Sequence, residues 1–187
     1  MNRPYTPPLA YSALTPFYDV TLELFGFGAT FKNGVARLAD VGDQETVLDL
    51  GCGTGTLLRA LTAQQPNACY TGLDPDLRAL AAASRRLRAE TGQVTLIHGY
   101  TQHLPMTDHS FDVVLSTLIF HHLPDGVKRQ TIGEVHRVLR PDGRFLLVDF
   151  GKPQTAASRA LLRLGSVFDG RDNMRTNLAG ELPAMLS

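Results

Sequence analysis

The segment Val47-Leu48-Asp49-Leu50-Gly51-Cys52-Gly53-Thr54-Gly55 constrains this chain more than any other. The residues ahead of the glycines, Thr46–Leu50, read as a buried strand, and Leu57–Ala63 behind them reads as a helix. The backbone must turn sharply between the two. Glycines permit that turn and leave no Cβ to block the approach of a ligand. N–H groups at the helix start can then meet an anionic group. A plain structural turn has the same pattern, and two details separate the readings. The spacing is Gly-x-Gly-x-Gly, not the Gly-x-Gly-x-x-Gly of dinucleotide binders, which weakens a nicotinamide-dependent oxidoreductase. The second apolar run, Cys69–Leu73, is followed by Asp74, about 20 residues beyond the loop, where an acid can accept hydrogen bonds from both ribose hydroxyls. The other reading of Asp74 is a helix cap, because Asp74-Pro75 joins an N-cap acid to Pro at the first helical position. Loop and acid together lead us to expect an adenosyl ribose with no pyrophosphate.

The rest of the middle region repeats the alternation. The helix opened by Asp74-Pro75 carries an inner stripe of Leu77, Leu80, Ser84 and Leu87. Val94–His98 reads as a third strand and Phe111–Ser116 as a fourth. Asp125 to Leu139 reads as a helix with Val127, Thr131, Val135 and Val138 on one face. Arg140-Pro141-Asp142-Gly143 is a turn by composition, and Arg144–Phe150 a fifth strand. Apolar strands separated by helices predict an α/β fold with a parallel sheet covered on both faces. Three parts follow: 1–45 as a helical cap or substrate lid, 46–150 as the cofactor-binding core, and 151–187 as a C-terminal helical segment. The first part holds half of the chain's Phe and Tyr residues and reads as helical from about Thr15 to Ala39, broken near Gly26-Phe27-Gly28. The last begins with a break at Gly151-Lys152-Pro153. A helix from about Gln154 to Phe168, a polar loop from Asp169 to Asn177 and a short helical stretch ending at Leu186 follow.

Composition narrows the partners. Lys+Arg and Asp+Glu are both 18, so the formal net charge is zero, against the basic excess that nucleic acid or an anionic membrane usually demands. No apolar run reaches the ~18 residues of a membrane span, and Met1-Asn2-Arg3-Pro4 lacks a signal-peptide layout. Two Cys, Cys52 and Cys69, make no disulfide framework and read as inert. A cytoplasmic protein is expected.

The residues from about Tyr18 to Phe150 resemble the class I S-adenosylmethionine-dependent methyltransferases. The resemblance rests on Val47–Gly55 and Asp74, and on Leu104-Pro105 followed by Phe111-Asp112-Val113-Val114. His121-His122-Leu123-Pro124-Asp125 and Leu139-Arg140-Pro141-Asp142-Gly143-Arg144 complete it. Within the class it is most similar to the ubiquinone/menaquinone-biosynthesis-like and related lipid and small-molecule methyltransferases, which often carry a Tyr-Asp pair, here Tyr18-Asp19. The resemblance implies a Rossmann-like, doubly wound, mostly parallel sheet and S-adenosylmethionine as cofactor, with S-adenosylhomocysteine as product. It implies that Gly51, Gly53 and Thr54 line the methionine part, that Asp49 holds the loop and faces the cofactor amine, and that Asp74 binds the ribose. Tyr18 and Thr117 join the cofactor set. Where the family usually has Gly-Asp-Ala beside the adenine, this chain reads Gly99-Tyr100-Thr101, so Tyr100 is assigned to stacking and Thr101 or Gln102 to a polar contact.

The implied reaction is N-, O- or C-methylation of a small-molecule or lipid acceptor by in-line displacement, in which the protein supplies alignment and a dry site. Bases are few: His121 and His122 follow the fourth strand, at the carboxyl edge where open α/β sheets bind ligands, and a helix-entry role is their other reading. Neither their adjacency nor their surroundings suggest a metal site. The N-terminal aromatics either pack a cap onto the sheet or line an apolar acceptor pocket. Ser116-Thr117-Leu118-Ile119 stands where nucleobase methyltransferases carry their own signature, so base methylation is disfavoured. The alternative to an enzyme is an S-adenosylmethionine-binding regulatory or scaffolding protein. His136, one residue off its helix's inner face, and Arg85, Arg86 and Arg88, a solvated face, carry no function in this reading. No strand pattern follows Phe150, although the family closes its sheet with two more strands. The chain therefore reads as lacking the last two strands, truncated relative to its relatives, with an exposed fifth-strand edge open to homo-oligomers.

Overall fold

The computed structural model describes residues 27–90, 93–154 and 171–186. Helix α1 (Ala29–Ala39) leads into β1 (Thr46–Leu50), α2 (Thr56–Gln64), β2 (Cys69–Asp74), α3 (Leu77–Leu87) and β3 (Gln93–His98). Then come β4 (Phe111–Thr117), a 3-10 turn at Phe120–His122, α4 (Asp125–Val138), β5 (Leu139–Val148), α5 (Arg171–Ala179) and a 3-10 turn at Pro183–Met185. The strands form one sheet in the order β3-β2-β1-β4-β5, with every neighbouring pair parallel. This is the doubly wound α/β arrangement expected from the sequence. The order reverses between β1 and β4, which opens a crevice at their carboxyl ends.

Alternation along the strands builds two cores. Val47, Val113 and Leu115 point to one face and pack with Val35, Ala36 and Ala39 of α1, Leu57, Leu58 and Leu61 of α2, and Leu80, Ala83 and Leu87 of α3. Leu48, Leu50, Leu73 and Val114 point to the other and pack with Val135 and Val138 of α4 and with Leu104. A third cluster joins Phe120, Ile132 and Leu182, with Phe145 and Leu147 packed against it. It carries the C-terminal segment onto the sheet.

Five local expectations are corrected. Helix α3 starts two residues later than Pro75: its cap is Asp76, whose side chain accepts from Arg78 N at 2.8 Å. Its inner stripe is Ala79, Leu80, Ala83 and Leu87, while Leu77 is 65% exposed and Ser84 lies outside. A stripe read on large residues alone missed the alanines, of which Ala83 packs in the same cluster as Leu57, Leu58 and Leu61 of α2. The buried face of α4 includes Lys128 and Ile132 beside Thr131, Val135 and Val138. β5 runs from Leu139 to Val148, not Arg144–Phe150, because the Arg140–Gly143 turn is taken up as a bulge between the pairs Phe111–Leu139 and Val113–Arg144. Most of the expected polar loop Asp169–Asn177 is instead helix α5. Its buried residues include Thr176 and Asn177 beside Met174, so its inner face is partly polar and the usual apolar stripe is absent. The helix expected over Gln154–Phe168 lies, past its first residue, outside the described residues, as does the chain before Phe27. Among the described residues no strand follows Val148. No helix among them is long and apolar enough to cross a membrane.

Candidate functional site

The glycine loop sits at the carboxyl end of β1 and is fastened from below. Gly51 N and Cys52 N donate to Leu73 O at 2.7 and 3.1 Å, and Gly55 N donates to Cys52 O at 2.9 Å. Gly51, Gly53 and Gly55 all have positive φ, a region that side chains with a Cβ enter only under strain. At Gly51 there is also no room: an added Cβ would lie 1.6 Å from Ile119 Cδ1. Ile119 is brought there by Leu118, whose own φ is +58°. Gly53 is the opposite case, since an added Cβ would meet nothing within 4 Å. The loop is closed at Gly51 and open at Gly53.

Asp49 and Asp74 lie on either side of this loop. Asp49 is 2% exposed and its Oδ2 has no hydrogen-bond partner. Burial pushes its carboxyl up to about 7; the Lys32 charge lowers it and the Asp74 charge raises it, both by less. Asp74 accepts from Gly53 N at Oδ2 (2.9 Å) and from Asp76 N at Oδ1 (2.8 Å). It does not cap α3; it ties the loop to the turn after β2. Its carboxyl is also raised, mainly by burial, against the pull of those two amides. Each Asp74 oxygen still has lone-pair capacity for a hydroxyl donor. From the β4 side, Ser116 Oγ and Thr117 Oγ1 are buried without partners. In register, Leu50 pairs with Ser116, so these hydroxyls stand at the same crevice as the loop. Three orphaned polar atoms around an open glycine are what a polar ligand with amine, carboxylate and hydroxyl groups would fill. The residues present therefore fit an S-adenosylmethionine-type ligand, with Asp49, Ser116 and Thr117 offering unmet hydrogen bonds.

The remaining expected residues divide. Thr54 is buried in the loop, and Arg86 Nη1 donates to its carbonyl at 2.5 Å. Arg86 is thus no mere solvated side chain. Tyr100 follows β3, whose last residue His98 pairs with Asp74, and is 37% exposed. Thr101 is turned inward: its hydroxyl pairs with Thr131 Oγ1 at 2.8 Å, so its side chain serves the α4 contact. Tyr18 lies outside the described residues. Cys52 is buried, and burial pushes its thiol up, away from reactivity. Among the described residues no group of His, Cys, Asp and Glu could hold a metal ion.

The two histidines part company. Burial and the neighbouring His121 hold His122 down at about 3, so it is neutral at ordinary pH. His121 faces Asp149, just beyond β5, with Nδ1 2.8 Å from Oδ1. The His121 ring also lies 4.8 Å from Phe150 and 4.0 Å from His122 between centroids, and Phe150 stacks edge-on to Phe27 at 5.6 Å. Sequence reasoning missed Arg86, Ser116, Asp149 and Asn177. Only Asp149 had a local signal, an acid closing an apolar strand.

The chain is similar to known proteins over this same region. Residues 47–143 match the family described as methyltransferase domain. A demethylmenaquinone methyltransferase of Lactobacillus johnsonii is 31% identical over 160 residues, 83% of this chain and 63% of that protein. The ubiquinone/menaquinone biosynthesis C-methyltransferase of Syntrophotalea carbinolica is 28% identical over 171 residues, 87% of this chain and 70% of that protein. Among solved structures, a SAM-dependent methyltransferase from Methanosarcina mazei superposes with a TM-score of 0.60 at 25% identity, over 67% of this chain and 62% of that one. The chain thus spans about two thirds of the length of the relatives it matches.

Proposed function

Because the chain belongs to the S-adenosylmethionine-dependent methyltransferases, we propose that it transfers a methyl group from S-adenosylmethionine to a small, largely apolar acceptor of the reduced quinone type. S-adenosylmethionine supplies a methyl group on a sulfonium, already activated toward displacement. The observation that carries the proposal is the crevice between β1 and β4, where Asp49 Oδ2, Ser116 Oγ and Thr117 Oγ1 are buried without partners around the open Gly53. In this reading Gly51, Gly53 and Thr54 bound the methionine part, Asp49 meets its ammonium, Asp74 takes the ribose hydroxyls and Thr117 borders the cofactor from β4. Tyr100 borders the adenine, and Tyr18 completes the set. The quinone class rests on what the relatives are named for and on the aromatic surroundings of Phe27, Phe31 and Phe150. A ring carbon of a quinol becomes a strong nucleophile once its hydroxyl loses a proton, and His121 is the base assigned to that step. We assign the protein to the cytoplasm, with peripheral membrane contact to reach a lipid-soluble acceptor.

Titration calorimetry with S-adenosylmethionine and S-adenosylhomocysteine tests the cofactor, and methyl transfer to reduced demethylmenaquinone, amines and phenols tests the reaction. Binding and turnover on the quinol are expected. Folded protein that binds neither ligand overturns the enzyme reading; binding without turnover on any acceptor favours a regulatory or scaffolding protein.

A further inference from the structure

Asp149 receives more donors than a surface carboxylate needs. His121 Nδ1 at 2.8 Å, Phe150 N at 2.7 Å and Asn177 Nδ2 at 3.3 Å converge on its Oδ1, and His121 N reaches its Oδ2 at 3.4 Å. Its side chain is 1% exposed and that of His121 5%. A carboxylate surrounded by donors acts as an acceptor only, so His121 Nδ1 carries the proton and Nε2 the lone pair. The orientation of Asn177 is equally determined. Its Nδ2 donates to two acceptors, Asp149 Oδ1 and Phe150 O at 3.0 Å, so the amide oxygen must point elsewhere. That oxygen is buried without a donor. Asn177 belongs to α5, which is held down by further polar contacts: Asn173 Nδ2 to His122 O at 2.8 Å, Lys128 Nζ to Asn173 O at 2.6 Å and Thr176 Oγ1 to Asp125 Oδ1 at 2.5 Å. Every one of these joins α5 to the stretch around His121 or to the start of α4.

We propose that Asp149, braced by Asn177 of α5, is a positioning residue that sets His121 with Nδ1 protonated and Nε2 as the proton acceptor for methyl transfer. This rests on the methyltransferase reading above. In the step itself the acceptor's O–H bond breaks, its electron pair stays on oxygen, and the proton forms a new bond to Nε2. The resulting imidazolium faces the Asp149 carboxylate, which offsets its charge, and the proton leaves later to solvent. A hydrogen-bonded acid behind an imidazole fixes both tautomer and ring orientation. The C-terminal helix is then a working part of the acceptor side, because without Asn177 the carboxylate loses a donor and a side of its enclosure.

Two measurements test this on the full chain. Ring 15N spectroscopy of His121 is expected to show the Nδ1–H tautomer, to keep it in Asp149→Asn, whose amide oxygen can still accept, and to shift toward Nε2–H in Asp149→Ala. With reduced demethylmenaquinone as the probe acceptor, kcat is expected to fall about 100-fold in Asp149→Ala, about 10-fold in Asp149→Asn and about 5-fold in Asn177→Ala. KM for the quinol and cofactor affinity should stay within about 2-fold, which separates positioning from binding. Asp149→Asn, close to isosteric, guards against loss of folding in the alanine variant. The proposal is overturned if His121 keeps its wild-type tautomer in Asp149→Ala, or if the folded Asp149 variants keep wild-type kcat. If the wild type methylates no acceptor, the methyltransferase reading fails, and the tautomer spectra still decide whether Asp149 sets the ring.

Discussion

Two glycines two residues apart have different jobs. Gly51 has φ +66° and Ile119 against its α-carbon; Gly53 has φ +53° and open space. An alanine at either position carries left-handed strain of about 1–2 kcal/mol. At Gly51 the displaced Ile119 adds about 1–3 kcal/mol. Gly51→Ala should therefore lower thermal stability sharply, while Gly53→Ala should melt within a few degrees of wild type yet bind S-adenosylmethionine at least 10-fold more weakly. Thermal melts and calorimetry on the pair check this; equal losses of stability would contradict it. Asp49 gives a pH signature. Its folded pKa, about 7, lies above the ordinary 3.8, so between those values the folded state holds a proton the unfolded state releases. This contribution to stability is full below 3.8 and is lost as pH rises through about 7. Asp49→Asn should hence stabilise the ligand-free protein at pH 8, by roughly 1–3 kcal/mol, and have little effect at pH 4. Cofactor affinity in the wild type should rise with pH through about 7, because a cationic amine favours the ionised acid. Denaturant melts and calorimetry at several pH values read both effects.

At the level of elements, α3 and α5 are tied to the site by polar side chains. Arg86 of α3 holds the Thr54 carbonyl from below the loop. Arg86→Ala should weaken cofactor binding about 3- to 10-fold with a small change in melting temperature, since a partly exposed donor to one carbonyl contributes about 1–1.5 kcal/mol. Lys128, fully buried in α4, donates to Asp125 and to the Asn173 carbonyl of α5. Lys128→Met removes a buried charge and both bonds, leaving the half-buried Asp125 with Thr176 and Arg175. We expect about 1–3 kcal/mol of lost stability and faster amide exchange confined at first to residues 171–179. Exchange that rises uniformly across the sheet would show that α5 is not a separately docked element.

For the whole molecule, β5 is one of the two sheet edges among the described residues, β3 being the other, and its Phe145–Val148 side chains are only partly buried. An edge with unpaired backbone groups and apolar flanks is a template for another chain. Sedimentation across the micromolar range is expected to give a concentration-dependent dimer; a monomer throughout that range would contradict it. The α/β class, the five strands and the parallel sheet were legible in the sequence because each strand is a near-continuous apolar run and each helix has its own period. The tight turn of the glycine loop was legible too, since positive φ and close approach demand glycine at fixed positions. The α3 cap, the α4 face and α5 were not. Their decisive residues, Asp76, Lys128 and Asn177, are polar side chains whose value depends on partners 2 to 45 residues away.

By itself the sequence determined the crevice: Gly51 to Gly55, Asp49 and Asp74 are adjacent to strand ends, and backbone geometry leaves few other uses for them. Tertiary structure alone decided which histidine meets Asp149. His121 and His122 are neighbours in the chain with the same chemistry, yet one meets Asp149 and the other is desolvated and held neutral. The difference arises because β4 and β5 lie side by side and α5 folds back over their ends, contacts that form between residues far apart in the chain and leave no trace in local pattern.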